Sequence, residues 1–318
     1  MPVFTGTRSA PALAYGVSII MRITIGVKSL KEAEYFLQNG ADEIYFSLKS
    51  VPGHRAAAFS NEKELLASIK LANKLGKKAM LGLNAVYPRE KYTLILDHAR
   101  RLTDKGLDGI VVRDPALLDY FNSKKFRPYL VSSILSACFN SQAMEFYQNL
   151  GVRRFTFHSQ VMPEDLRLMT AAAAKTETVV FLPFIFLAAN IVPFCFCPYP
   201  GSKEPGGAHL PDHACTLKFK CGSRDFRMLD SDLYFQSDML YDFHKLGVDW
   251  LKVPRQLNTP KLMAEFAITK YLNDLLEKGV DRKVFAETVA ELMKKADMNK
   301  YGKSYHFKPF PDKKARDR

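Results

Sequence analysis

From Arg22 onward the chain alternates short apolar runs with longer stretches whose apolar positions recur every three or four residues. Those are the two periods expected of buried strands and amphipathic helices. RITIGV reads as a strand, and Ser29 is placed to cap the helix SLKEAEYFLQNG, which Gly40 closes. EIYFSL is a second strand. After a loop holding His54 and Arg55, Ser60 is placed to cap SNEKELLASIKLANKLG, with Glu64 in the first turn, where a carboxylate suits the helix dipole. KAMLGLNA is followed by the helix EKYTLILDHARRLTDKG, GIVVRD by a short helix that Pro115 opens, PYLVSSIL by SQAMEFYQNLG, and RFTFHS by PEDLRLMTAAAAK. TETVVFLPFIF is a seventh strand, SDLYFQSDMLYDFHKLG a helix, and WLKVPR an eighth strand, before two helical stretches at about 260–279 and 282–296.

Strands joined by helices imply parallel pairing, because a parallel link needs a crossover. Eight such units predict an α/β fold, a closed (β/α)8 TIM-like barrel with a long loop after the seventh strand. No G-x-G-x-x-G follows the first strand, which counts against a dinucleotide-binding sheet. The expected organisation is a disordered leader over 1–20, a single barrel domain over 21–300 and a basic tail over 301–318.

The charge balance adds a partner class. Lys and Arg number 46 against 33 Asp and Glu, a net charge of +13 and a pI near 9.4. That surplus suits a polyanion such as RNA, or an anionic membrane surface, although part of it sits in the tail KKARDR. No uninterrupted apolar run reaches the roughly eighteen residues that would span a bilayer. The run Leu13–Ile20 is short for a signal peptide and precedes Met21, an alternative start. The expected location is the cytoplasm.

Four of the five cysteines, Cys195, Cys197, Cys215 and Cys221, fall in one stretch, FCFCPYPGSKEPGGAHLPDHACTLKFKC. It is rich in Pro and Gly, and propensity gives it no compact structure of its own. A metal centre would tie it down: four thiolates suit an iron–sulfur cluster, while His209 and His213 keep zinc open. Disulfides or plain packing are the bland alternatives; few, clustered and odd-numbered cysteines favour reduced thiols. Cys138 is a further thiol, either a packed hydrophobe or a replacement ligand for Cys195 or Cys197.

In a barrel the strand ends nominate the site. Asn84 comes at the end of the third strand, Arg113 and Asp114 at the fourth, Ser132 and Ser133 at the fifth, His158 at the sixth, and Lys252 with Arg255 at the eighth. Each has a plain structural role to compete with: Asp114 before Pro115 is a helix cap, and His158 can be a hydrogen-bonded core histidine. Guanidinium groups over one cavity favour an anionic or carbonyl-bearing ligand. Neither a G-x-S-x-G elbow nor H-E-x-x-H occurs, so no motif points to hydrolysis.

Several segments together resemble peptidase family U32, the collagenase-like group: GHRAAAFSNEKELLASIKLANKLGKKAMLGLNAVY, GIVVRDPALL, FNSQAMEFYQNLGVRRF and LGVDWLKVPRQLNTP. The last is similar to the family's G-x-D-x-L-K-I-E-G-R run, with Val253 and Pro254 standing where Ile-Glu-Gly would be. The resemblance covers roughly 21–275 and implies a TIM-like barrel carrying a cysteine-bound 4Fe-4S cluster. By residue match, Arg55, Asn84, Lys252 and Arg255 sit on positions like the family's, and Cys215 with Cys221 on its second cysteine pair; Arg55, Asn84, Arg113, His158, Lys252 and Arg255 are the expected substrate-binding residues by their place at the barrel mouth. Around Cys195 the Glu and Gly of the family's first cysteine signature are missing. Members are named peptidases, while better-understood relatives support oxygen-independent hydroxylation of quinone precursors, tRNA uridine or ribosomal RNA. The partners this implies are a small anionic or aromatic substrate such as prephenate, a homologous partner subunit, and RNA.

Overall fold

The computed structural model describes residues 20–51, 53, 57–158, 161–172, 176–181, 218–221, 224–227, 239–253, 255 and 259–296. Eight parallel strands close on themselves: β1 (Arg22–Gly26), β2 (Glu43–Leu48), β4 (Lys78–Leu83), β5 (Gly109–Val112), β6 (Leu130–Ser132), β7 (Val152–Thr156), β8 (Glu177–Phe181) and β11 (Trp250–Val253). Closure comes from β1, which pairs with β2 through Thr24↔Glu43 and with β11 through Arg22↔Trp250. These are the eight strands of the sequence pattern, and the fold is a (β/α)8 barrel. The short β3 (Ala58–Phe59) adds to β2 beyond the ring.

The helices are α1 (Leu30–Gln38), α2 (Glu62–Lys74), α3 (Tyr92–Asp104), α4 (Pro115–Ser123), α5 (Ser141–Asn149), α6 (Pro163–Ala172), α7 (Met239–Lys245), α8 (Thr259–Glu277) and α9 (Arg282–Ala296). Each of the first five buries a stripe, as α2 does with Leu65, Ser68, Ile69 and Ala72, spaced to fall on one face. Against them pack the outward positions of the strands, among them Ile23 and Ile25, Ile44 and Phe46, Ala79, Leu81 and Leu83, Ile110 and Val112, and Leu251 and Val253. Burying an aliphatic side chain of this size stabilises by about 1.5–3 kcal/mol, so this layer supplies most of the drive to fold. Alternation then leaves every other strand residue to line the barrel interior.

Several caps follow the sequence. Ser29 accepts from the Glu32 N–H at the start of α1, and Asp114 caps α4 ahead of Pro115. The cap of α2 is Asn61 rather than Ser60: its side chain accepts from the Glu64 N–H and donates back to the Glu64 carboxylate. That reciprocal pair needs the residue three before Glu64, a spacing that Ser60 misses. The fifth barrel strand stops at Ser132, because Ser133 caps a 3-10 turn over Ile134–Ser136 that takes the place of the expected strand end. The cysteine stretch is not wholly without regular structure. β9 (Lys218–Cys221) and β10 (Arg224–Arg227) pair antiparallel with Cys221 opposite Arg224.

The leader and the tail expected from the sequence lie outside the described residues, apart from Ile20. No helix among the described residues is long and apolar enough to cross a membrane.

Candidate functional site in the barrel interior

The interior is divided between a small apolar cluster and a set of charged groups. Tyr45, Met80, Val111 and Val131 point inward from β2, β4, β5 and β6 and pack together with Ala57 and Tyr129, apart from the outer core. Gly26 makes room for this arrangement: a Cβ there would lie 2.7 Å from the Tyr45 ring.

Below them, toward the N-terminal ends of the strands, Arg154 crosses the barrel. It is 1% exposed, its Nη1 donates to Glu43 Oε2 at 2.6 Å, and its Nε donates to Glu177 Oε2 at 2.8 Å. Its guanidinium carbon lies 4.0 Å from the centre of the Trp250 ring. Thr24 donates to the other Glu43 oxygen, and Tyr129 and Arg22 both donate to Glu177. Burial pushes the Glu177 carboxyl up, but Tyr129, Arg154 and Arg22 outweigh it and bring it down to about 2. A bulge in β7 makes this possible. Leu130 pairs with Val152 and Val131 with Arg154, which leaves Arg153 unpaired and exposed while both Val152 and Arg154 are buried.

Above this floor stands Lys252. It is 6% exposed, its Nζ lies 4.1 Å from the centre of the Tyr45 ring and 5.7 Å from that of Phe181. It makes no hydrogen bond or ion pair among the described residues. The carboxylate whose charge acts on it, Glu43, is already bound by Arg154 and Thr24. Burial brings the Lys252 pKa down to about 8; Glu43 opposes the fall and Arg154 adds to it.

The rim carries the other residues that the sequence nominates. Asn84 follows β4, 9% exposed, with its side-chain oxygen unpartnered among the described residues. Arg113 follows β5, half-buried, and its guanidinium makes no hydrogen bond or ion pair there. Asp114 beside it is fully engaged, accepting from the Ala116 N–H and the Tyr92 hydroxyl. Ser132 and Ser133 are buried, and their hydroxyls bond to nearby backbone. His158 lies two residues beyond β7, half-buried, its ring 5.7 Å from Phe139.

Arg255 turns away from the interior to α1. Its two terminal nitrogens each reach a Glu32 oxygen at 3.2 Å, and it also donates to the Gly26 carbonyl. Glu32 further accepts from Thr259 and from the Lys28 N–H, so the group ties β1, α1 and α8 together. Arg55 and His54 lie outside the described residues.

Of the cysteines, Cys195, Cys197 and Cys215, with His209 and His213, lie outside the described residues, and only the backbone of Cys221 is inside them. Cys138 is 4% exposed, on a loop that Ala137 turns through φ 52°. Its thiol is 4.0 Å from the Asn140 carbonyl, and burial pushes it up to about 12, so it stays protonated. No three His, Cys, Asp or Glu side chains group as a metal site among the described residues.

What the sequence did not single out is the floor, Glu43, Arg154 and Glu177. The available signal was a charge at the inward position of an otherwise apolar strand. The chemistry of the described interior is that of an unsatisfied amine between two rings, with an amide oxygen and a guanidinium on the rim. It can receive an anion or a carbonyl group.

Residues 28–184 match the sequence profile of peptidase family U32. No curated protein matches the chain. Among solved structures, the U32 peptidase Mk0906 is similar at 15% identity and a TM-score of 0.45, covering 56% of this chain and 74% of its own. A 2,3-dimethylmalate lyase of the PEP mutase/isocitrate lyase superfamily is similar at 9% identity and a TM-score of 0.44, over 87% and 93%. A dipeptide epimerase from Enterococcus faecalis V583 follows at 15% and 0.35, over 51% and 47%.

Proposed function

The stretch 28–184 makes this chain a member of peptidase family U32, and from that premise we propose that it is an iron–sulfur protein supporting oxygen-independent hydroxylation of a quinone precursor or an RNA base. The observation that carries the reading is the interior of the barrel. A buried lysine with no partner among the described residues, together with Asn84 and Arg113, suits a small substrate bearing negative charge or a carbonyl. A peptidase needs an activated nucleophile or a metal-bound water. Among the described residues the thiol of Cys138 is protonated, the Ser132 hydroxyl donates to the Ser133 carbonyl, and the Ser133 hydroxyl caps a turn by accepting from the Leu135 N–H.

Cys195, Cys197, Cys215 and Cys221 would hold the 4Fe-4S cluster, a donor set of the right number and chemistry. Bound there, the cluster would supply one-electron chemistry, which a hydroxylation system uses and a protease does not. The residues of the barrel would bind the substrate, orient it with Arg113 and Asn84, and exclude water from it with the rings of Tyr45 and Phe181. The second reading, a peptidase with the cysteines as a structural iron or zinc clamp, is favoured by the family's name.

Anaerobic purification separates the two. The first reading expects about four irons and four sulfides per chain, and loss of both in Cys215→Ser and in Cys221→Ser. Zinc in place of iron, or full iron and sulfide in both variants, overturns it.

A further inference from the structure

We propose that Lys252 is a covalent site, its amine condensing with a small, largely apolar aldehyde or ketone to form an imine within the barrel. Three features of the interior lead there. The side chain comes from the third residue of β11, above the charged floor and below the rim, where a ligand entering from the C-terminal mouth would arrive. Its immediate surroundings are aromatic, Tyr45 at 4.1 Å and Phe181 at 5.7 Å, with Met80, Val111 and Val131 in the cluster that Tyr45 belongs to. And among the described residues the carboxylates of the interior are engaged elsewhere, Glu43 by Arg154 and Thr24, and Glu177 by Arg154, Tyr129 and Arg22.

A buried cation costs several kcal/mol when unpaired, so a lysine in this position is a liability to the fold unless the amine has a use. Desolvation favours its neutral form, the form with a lone pair to give. The step needs no oxidant or reductant. The nitrogen lone pair attacks the carbonyl carbon, a C–N bond forms, and the two amine protons leave with the carbonyl oxygen as water. The interior is apolar enough to disfavour the returning water, and the ring faces suit an apolar substituent.

The inference rests on reading the barrel interior as the substrate site, but not on the cluster. Iron and sulfide analysis therefore tests one and imine trapping the other. The whole chain is treated at pH 7 with benzaldehyde and cyanoborohydride, which reduces an imine to a stable secondary amine, and the labelled lysines are mapped by mass spectrometry. At that pH an amine titrating near 8 is neutral far more often than an ordinary lysine. The Lys252 peptide should accordingly carry on the order of a hundredfold more label than exposed Lys63 or Lys105. In urea the preference should vanish, because it belongs to the folded barrel. Labelling of Lys252 no greater than that of Lys63 overturns the proposal. A preference that survives urea overturns it too, since the local sequence would then be its cause.

Discussion

Replacing Lys252 by methionine keeps most of the side chain's volume and removes its amine, and at neutral pH the result should be a more stable protein. In the folded barrel burial brings the pKa from 10.5 down to about 8, whereas the unfolded chain keeps the ordinary value. At about 1.4 kcal/mol per pH unit, that fall corresponds to a penalty on the order of 3 kcal/mol for the charged amine inside the barrel. The pH dependence has a definite sign. Below pH 8 both states hold the proton and the wild-type protein bears the whole penalty. Between pH 8 and 10.5 the unfolded chain still holds a proton that the folded chain has lost, so wild-type stability climbs with pH relative to the variant. Above 10.5 the gap closes to the difference in packing alone. Urea unfolding of both proteins at pH 7 and at pH 10 reads this directly. The variant's midpoint should be higher at pH 7 at unchanged slope, and the advantage should shrink at pH 10. Titrations common to both proteins cancel in the comparison. A Lys252→Met protein that is less stable at pH 7, or whose advantage does not change with pH, would refute the account of a desolvated amine.

Arg154→Met should have the opposite effect, because it leaves Glu43 buried at 3% exposure without its counter-charge. The expected cost is about 3–5 kcal/mol, most of it recovered by adding Glu43→Gln; denaturation of the single and double variants checks this, and an equal loss in both would sink it. Arg255→Met should destabilise by about 1–3 kcal/mol, since Glu32 keeps its bonds from Thr259 and Lys28 but loses its cation. Its iron content should stay at the wild-type level, and a variant of unchanged stability that binds anionic ligands less tightly would instead put Arg255 in the substrate site.

The sequence by itself determined the architecture. Eight apolar runs separated by amphipathic stretches leave few solutions other than a closed parallel barrel, because each run must be covered on its outer face by the helix that follows it. It determined the local signals as well: Ser29 and Asp114 are caps because a short polar side chain sits one residue before a helix. It placed Asn84, Arg113 and Lys252 near one end of the barrel through their positions along the strands. What it could not decide is which of these charges has a partner. Arg255 and Lys252 look alike in WLKVPR, yet among the described residues Arg255 meets Glu32 from 223 positions earlier and Lys252 meets the rings of Tyr45 and Phe181. Arg154 and Glu43 are 111 positions apart, and each satisfies the pattern of its own strand without reference to the other. The bulge that puts Val152 in the outer core yet aligns Arg154 with inward Val131 is likewise absent from any period, because it comes from pairing with β6. Partnership between charges depends on the distance and dielectric that closure creates. Only the tertiary structure therefore set the pKa of Lys252, and with it the chemistry of the barrel interior.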